Sequence, residues 1–154
     1  FDTYKRLEKP TKMIDAIANI EKYFGFTYKD INRFVSMIEV GRKNHDNNMV
    51  IKYAVEVMRL QKELNSYAQS PYVEFTLYQA YLNIDEKEEA LKVIKSLDDI
   101  KLQPKQRARQ KYLLGTIYDN LWRKDKANEA YKASVEADST SSWAKLAQDA
   151  LGVE

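Results

Sequence analysis

Residues 71–98 and 108–135 carry one pattern twice at a fixed offset of 37 residues: Leu77 recurs as Leu114, Tyr81 as Tyr118, Asn83 as Asn120, Ala90 as Ala127, and the apolar Ile94 as Tyr131. Self-similarity at a period of roughly 20 to 50 residues marks stacked supersecondary units, each leaving an apolar face for its neighbour to cover. The pattern predicts helical hairpins and a protein that works by displaying a surface. It leaves the partner unnamed.

Composition agrees with that reading. Glycine (4) and proline (3) are scarce, which argues against a turn-rich all-β fold and for long helices joined by short loops, so the predicted class is all-α. A chain of 154 residues suits a single domain, and 44% apolar with 31% charged residues is the balance of a folded, water-soluble one. With 25 basic and 23 acidic residues the net charge is +2, so no global field recruits nucleic acid or an anionic membrane. Cysteine is absent, which excludes disulfides, a thiol nucleophile and thiolate zinc sites and suits the cytoplasm or a bacterial periplasm equally. No run is long enough to span a bilayer and no leader is visible. The chain begins at Phe1, which reads as a processed product or a C-terminal fragment of a longer protein.

Helical spacing of apolar residues, broken by caps, gives about eight helices. The first runs from about Thr11 to Phe24, with Met13, Ile14, Ile17 and Ile20 on one face and Gly25 as its stop. Thr27 and Asp30 have capping-box spacing and open a second, reaching Lys43 with a stripe of Ile31, Phe34, Val35, Met37, Ile38 and Gly41. Residues 44–48 are a turn, and a third helix carries Val50 to Leu64, ending near Asn65. Ser70-Pro71 caps a fourth, to Asn83, with proline at the first helical position; Asp85 with Glu88 caps a fifth, ending near Ile100. Pro104 opens a sixth to Trp122, a seventh spans Asp125 to Asp138, and a short eighth spans Trp143 to Leu151 with Gly152 as its stop.

Leu114, Gly115, Tyr118, Ala127 and Tyr131 stand at the spacing of the tetratricopeptide repeat (TPR), and this stretch resembles that family, with Ser134 at its second small position and Ser139 where its proline ends the repeat. The preceding copy resembles it through Leu77, Tyr81, Ala90 and Ile94, with Tyr78 and Asp85 in place of two glycines and three extra residues in the exit loop around Asp98 to Pro104. A divergent copy at 27–69 offers Gly41 and Ala54 as counterparts of Gly115 and Ala127, with one residue inserted between them. Gly115 and Ala127 are expected to let helix backbones approach, with tyrosines filling the space around them. The resemblance implies a right-handed α-solenoid of antiparallel helix hairpins: a leading helix at 1–26, repeats at 27–69, 70–103 and 104–139, and a capping helix at 140–154. Trp143, Leu146, Ala147 and Leu151 are its expected contacts, and it reads as the natural C-terminus.

In this family the first helix of each pair lines a concave groove. Carried over, the resemblance offers Tyr72, Phe75, Gln79, Leu82 and Asn83 from one pair and Arg109, Tyr112, Thr116, Asp119 and Asn120 from the next. Aromatic anchors beside amides suit a peptide or helix from another protein. The recurrence of Asn83 as Asn120 supports display, because exposed amides have little structural reason to repeat; solvated surface residues are the plain alternative. The carboxylate clamp of co-chaperone members is disfavoured, since Phe75 and Leu113 stand at its polar positions. Of the tyrosines, Tyr81, Tyr118 and Tyr131 are expected in the core and Tyr67, Tyr72 and Tyr112 at the surface.

Catalytic and metal chemistry find no support. His45 is the one histidine and lies in a turn, and Asp85, Glu86, Glu88 and Glu89 are explained by a helix start. Neither a phosphate loop nor a nucleophile-base signature occurs, so no catalytic residue, metal, cofactor or small-molecule substrate is assigned. One bias stands out: Lys101, Lys105, Arg107, Arg109 and Lys111 form a basic segment without an intervening acid, which could hold RNA or an acidic protein. Balanced charge and the lack of interleaved exposed aromatics disfavour the RNA version. The leading expectation is a non-catalytic protein-protein interaction module. The alternative is a structural component of a bacterial envelope or flagellar-motor assembly, because the segment around Trp143 is similar to the ends of periplasmic repeat scaffolds.

Overall fold

The structure, a computed structural model, describes residues 28–152. The helix expected at 11–24 and the Thr27 half of the capping box lie outside the described residues. Among these the secondary structure is entirely helical: α1 Tyr28–Lys43, α2 Asn47–Leu64, α3 Tyr72–Asn83, α4 Lys87–Ser96, a 3-10 turn Leu97–Asp99, α5 Pro104–Asn120, α6 Lys124–Ala137 and α7 Ser142–Leu151. The chain divides into two compact units, Phe1–Ala68 and Gln69–Glu154. In the first, α1 and α2 form a hairpin. In the second, α3 pairs with α4 and α5 with α6, α4 packs on α5, and α7 packs on both α5 and α6.

All three hairpins close through the same backbone turn. After each first helix an N–H reaches back five residues, Asp46 N to Gly41 O, Glu86 N to Tyr81 O and Arg123 N to Tyr118 O, each at 2.8 Å. The residue before each donor is left-handed, His45 at φ 54°, Asp85 at 62° and Trp122 at 61°. This is a Schellman-type stop, which satisfies carbonyls that the helix end would otherwise leave open. Asp85 is therefore a turn residue rather than the expected cap, and the N-cap position falls to Glu86.

The shared turn fixes the register of the first hairpin. Gly41, Tyr81 and Tyr118 become equivalent, as do Val50, Ala90 and Ala127, whose N–H groups bond to Asp46 O, Glu86 O and Arg123 O. That corrects the expected pairing of Gly41 with Gly115 and of Ala54 with Ala127, and no inserted residue is needed. In the new register Gly41 faces Val50, whose Cγ2 would lie 3.0 Å from a Cβ placed on the glycine. A Cβ on Gly115 would lie 2.4 to 2.9 Å from atoms of the Tyr131 ring, so this glycine makes room for an aromatic ring rather than for a backbone.

Helix boundaries differ from expectation in small ways with clear causes. Pro71 occupies the N-cap of α3 instead of its first turn, and the Ser70 hydroxyl donates to Glu74 Oε2 at 2.7 Å. The fifth predicted helix ends at Ser96 and tightens into the 3-10 turn before Ile100 becomes extended. Pro104 starts α5 as predicted, supported by Gln103 N donating to Gln106 Oε1 at 3.1 Å. Ser141 caps α7 by accepting from Ala144 N at 3.1 Å, and left-handed Gly152 (φ 74°) ends it. The buried face of α7 is Ala144 and Ala147, whereas Leu146, expected to pack, is 43% exposed.

The core of the second unit holds one acid that needs an account. Glu74 is 1% exposed, and its Oε1 has no hydrogen-bond partner among the described residues. Burial pushes its carboxyl above the usual range, against the opposing bonds from Ser70 and its own backbone. A folded-state value above the unfolded one means that the folded protein binds the proton more tightly. Stability is then fullest in acid and falls as pH rises from about 4.3, the unfolded range, through the raised folded value.

Three substitutions have expected outcomes for stability, all read by urea unfolding. Gly115→Ala should lower the unfolding free energy by about 1–3 kcal/mol through overpacking against Tyr131. Gly41→Ala should also destabilise, because its Cβ would meet backbone, Val50 N at 3.2 Å and Asp46 O at 3.3 Å, as well as the Val50 methyl, with about 1 kcal/mol of regained helix propensity offsetting part of the loss. Glu74→Gln should match the wild type in acid and exceed it at neutral pH, so a difference independent of pH would contradict the buried-carboxyl account.

Candidate functional site

The basic segment resolves into two structural arrangements rather than one positive surface. Gln110, fully buried, donates through Nε2 to Ile94 O at 3.0 Å and to Asp98 Oδ1 at 2.7 Å, and its Oε1 accepts from Arg107 Nη1 at 2.8 Å. Arg107 also donates to Leu97 O at 2.7 Å and to Ile100 O, and Lys111 Nζ pairs with Asp98 at 2.9 Å. These bonds pin the exit loop, where the three extra residues were expected, to the start of α5. Burial pushes the Asp98 carboxyl upward, but the bonds from Gln110 and Lys111, with the charges of Lys111 and Arg107, hold it below the usual range. Of the five predicted basic-patch residues only Lys101 and Lys105 are exposed.

The second arrangement centres on Arg109. Its guanidinium carbon lies 4.2 Å from the centre of the Phe75 ring and 5.2 Å from that of Trp143. It thus joins α3, α5 and α7 through cation–π contacts, each worth about 0.5–2 kcal/mol. Its Nε is buried without a hydrogen-bond partner, and burial lowers the guanidinium's pKa. Tyr112, one helical turn further along α5, stands 5.9 Å from the Trp143 ring and 6.0 Å from that of Tyr131. Tyr131 in turn donates to Asp119 Oδ2 at 2.7 Å, and burial with the adjoining Asp119 carboxylate pushes its hydroxyl's pKa upward. A row of rings, Phe75, Trp143, Tyr112 and Tyr131, therefore runs across this unit with one cation inside it.

The residues expected to line a groove separate by exposure. Gln79, Asn83 and Asn120 are exposed, whereas Tyr72, Arg109, Tyr112 and Thr116 are half-buried. Phe75, expected as a displayed anchor, is 7% exposed and covered by Arg109. Thr116 is a packing residue: its hydroxyl donates to Leu113 O at 2.7 Å and sits 3.2 Å from the Tyr78 hydroxyl, which also donates to Leu113 O at 3.2 Å. Tyr72 was expected at the surface, yet its hydroxyl is buried without a hydrogen-bond partner among the described residues, and Tyr112 lies against two rings; only Tyr67 of that set is exposed. In the set expected in the core, Tyr118 and Tyr131 are buried and Tyr81 is half-buried.

The recurring asparagines have a local reason. Gln79 Nε2 donates to Asn83 Oδ1 at 2.9 Å, and Asn120 Nδ2 donates to Thr116 O at 2.9 Å. In both helices the bond spans four residues within the last turn. Asn83 accepts from a side chain and Asn120 donates to a backbone carbonyl, so each exposed amide has a bond within its helix but not the same one.

Sequence reasoning missed Trp143 as a site residue, placing it only in the cap. A signal was present: Phe75, Arg109 and Trp143 are spaced 34 residues apart, the nominal period of the family that the chain resembles, while the internal echo runs at 37. No group of acidic or histidine side chains suited to a metal occurs among the described residues, and none of their helices is long and apolar enough to cross a membrane.

No protein-family model matches the chain, and no curated protein matches it. Among solved structures, the crystal structure of MamA is similar, with 20% identity over 95% of this chain and 84% of that one and a TM-score of 0.59. Identity at that level speaks to the fold alone. Together with the strand-free helix order, it shows an all-α, TPR-like α-solenoid architecture of antiparallel helix hairpins.

Proposed function

We propose that the protein is a non-catalytic interaction module that takes a peptide segment or helix of a protein partner on the face shared by α3, α5 and α7, with the repeats at 27–69, 70–103 and 104–139 and the cap at 140–154 as its building units. The observation that carries this reading is the half-buried Arg109, a cation held between Phe75 and Trp143 without a carboxylate beside it among the described residues. A stacked guanidinium with open hydrogen-bonding capacity is a typical anchor for protein recognition. Exposed Gln79, Asn83 and Asn120 supply amides near the ends of α3 and α5. A fold of stacked hairpins, shared with MamA, supports a scaffold role and brings no partner identity with it.

A second reading, permanent packing within a larger envelope or motor assembly, is favoured by one residue. Trp122 is 94% exposed in a left-handed turn. His45 and Asp85, at the equivalent positions, are residue types that tolerate this conformation; tryptophan is not. Its exposed ring gains no burial that would offset the conformational cost of about 1–2 kcal/mol.

Quantitative capture from a bacterial lysate, comparing wild type with a Gln79→Arg/Asn120→Arg variant, tests the first reading. At least one protein should be depleted about tenfold by the double substitution, and identical capture lists would remove the α3–α5–α7 face from consideration. For the second, Trp122→Gly should raise stability by about 1 kcal/mol and abolish concentration-dependent self-association in sedimentation velocity. A wild type that sediments as a monomer throughout would rule out assembly with itself.

A further inference from the structure

We propose that the Phe75–Arg109–Trp143 stack recognises a carboxylate side chain, aspartate or glutamate, in an acidic segment of the partner; this rests on the reading that the α3–α5–α7 face binds protein. The first argument is comparative. Every other arginine among the described residues is engaged: Arg33 with Asp30, Arg42 with Glu39, Arg59 with Glu56 and Glu63, Arg107 with the exit loop, and Arg123 with Glu88. The Arg109 side chain makes no hydrogen bond or ion pair with any described residue. In a chain that pairs its arginines so consistently, the exception is the one held on both sides by aromatic rings.

Geometry then selects the ligand. Two rings, at 4.2 and 5.2 Å from the guanidinium carbon, reduce the freedom it has to lose when a ligand arrives. The Arg109 Nε is buried without a hydrogen-bond partner among the described residues, while the residue as a whole is half-buried. Two N–H donors on a planar fork match the two oxygens of a carboxylate, giving paired charge-assisted bonds. A neutral amide offers one acceptor and leaves the charge unmatched in a partly desolvated place. Tyr112, against the Trp143 ring and without a hydrogen bond among the described residues, places a hydroxyl donor on the same row.

The test uses the full chain carrying Trp122→Phe, which leaves Trp143 as the sole tryptophan and hence the fluorescence reporter. The probes are eight-residue alternating Glu-Ala and Gln-Ala peptides, acetylated and amidated at their ends, with a third Gln-Ala peptide bearing a free C-terminal carboxylate. The Glu-Ala peptide should change Trp143 emission saturably, and the capped Gln-Ala peptide should bind at least about tenfold more weakly, a difference of about 1.4 kcal/mol. Arg109→Lys, which keeps the charge but loses the fork, should weaken Glu-Ala binding about tenfold, and Arg109→Gln should abolish it.

Equal binding of the two capped peptides, or an undiminished response in Arg109→Gln, would overturn carboxylate recognition while leaving the face itself as a binding surface. The peptide comparison needs no change at Arg109 and so stands even where that substitution unfolds the cap. Binding of the free-ended Gln-Ala peptide as tightly as Glu-Ala would assign the site to a chain terminus and overturn the side-chain proposal. No response to any peptide at millimolar concentration would also overturn it, whereas the reading of the face as a protein-binding surface stands or falls separately on the capture experiment.

Discussion

Space at the crossing of a helix hairpin is limited, and each hairpin meets that limit with a different pair of facing residues. Close packing leaves no slack for an additional methyl where backbones and rings already touch. The α5–α6 hairpin meets it with Gly115 opposite Tyr131, while the first hairpin meets it one turn later, with Gly41 opposite Val50. At the positions equivalent to Gly115 and Tyr131 the first hairpin has Ile38 and Ala54, both fully buried, so the large residue has moved to the other helix. The α3–α4 hairpin places two large buried residues, Tyr78 and Ile94, at the equivalent positions, so neither the identity nor the summed size of the pair is fixed from hairpin to hairpin.

This explains why the third repeat was only partly legible in the sequence. A search for glycine and alanine at family spacing finds Gly41 and Ala54 and must then insert a residue, because it assumes that the small residues keep their places. The turn supplies the true register, since the bond from Asp46 N to Gly41 O matches those at Glu86 and Arg123. Backbone bonds are indifferent to the exchange of side-chain size, whereas a motif is built from side chains. Helix number and order in the described region were legible from apolar spacing, and Pro104, Ser141 and Gly152 mark ends where the backbone needs those residue types.

The site was less legible, for a physical reason that differs from residue to residue. Phe75 and Thr116 hold groove positions by register, yet one is covered by a guanidinium and the other bonds to Tyr78, and neither contact is encoded within a single repeat. The basic segment misled because charge along a chain says nothing of direction: on α5, Arg107 turns to the exit loop, Arg109 to two rings, and Lys111 to Asp98. A run of like charge on a helix is distributed by the helical period, so Arg107 and Lys111, four apart, share the face at the exit loop while Arg109 points elsewhere.

What distinguishes Arg109 is the balance of forces that keeps it charged without an acid. Burial disfavours the cation and lowers its pKa, though for arginine deprotonation is not a realistic escape. Ring faces return part of the lost hydration through their quadrupoles, about 0.5–2 kcal/mol each. They act on the faces of the guanidinium and leave its edge hydrogen bonds unmade. An internal carboxylate would pair with that edge, as Glu39 does with Arg42 and Glu88 with Arg123. Because Phe75, Arg109 and Trp143 come from three successive first helices, the partly satisfied cation sits where it both ties α7 to the stack and retains donors for a partner.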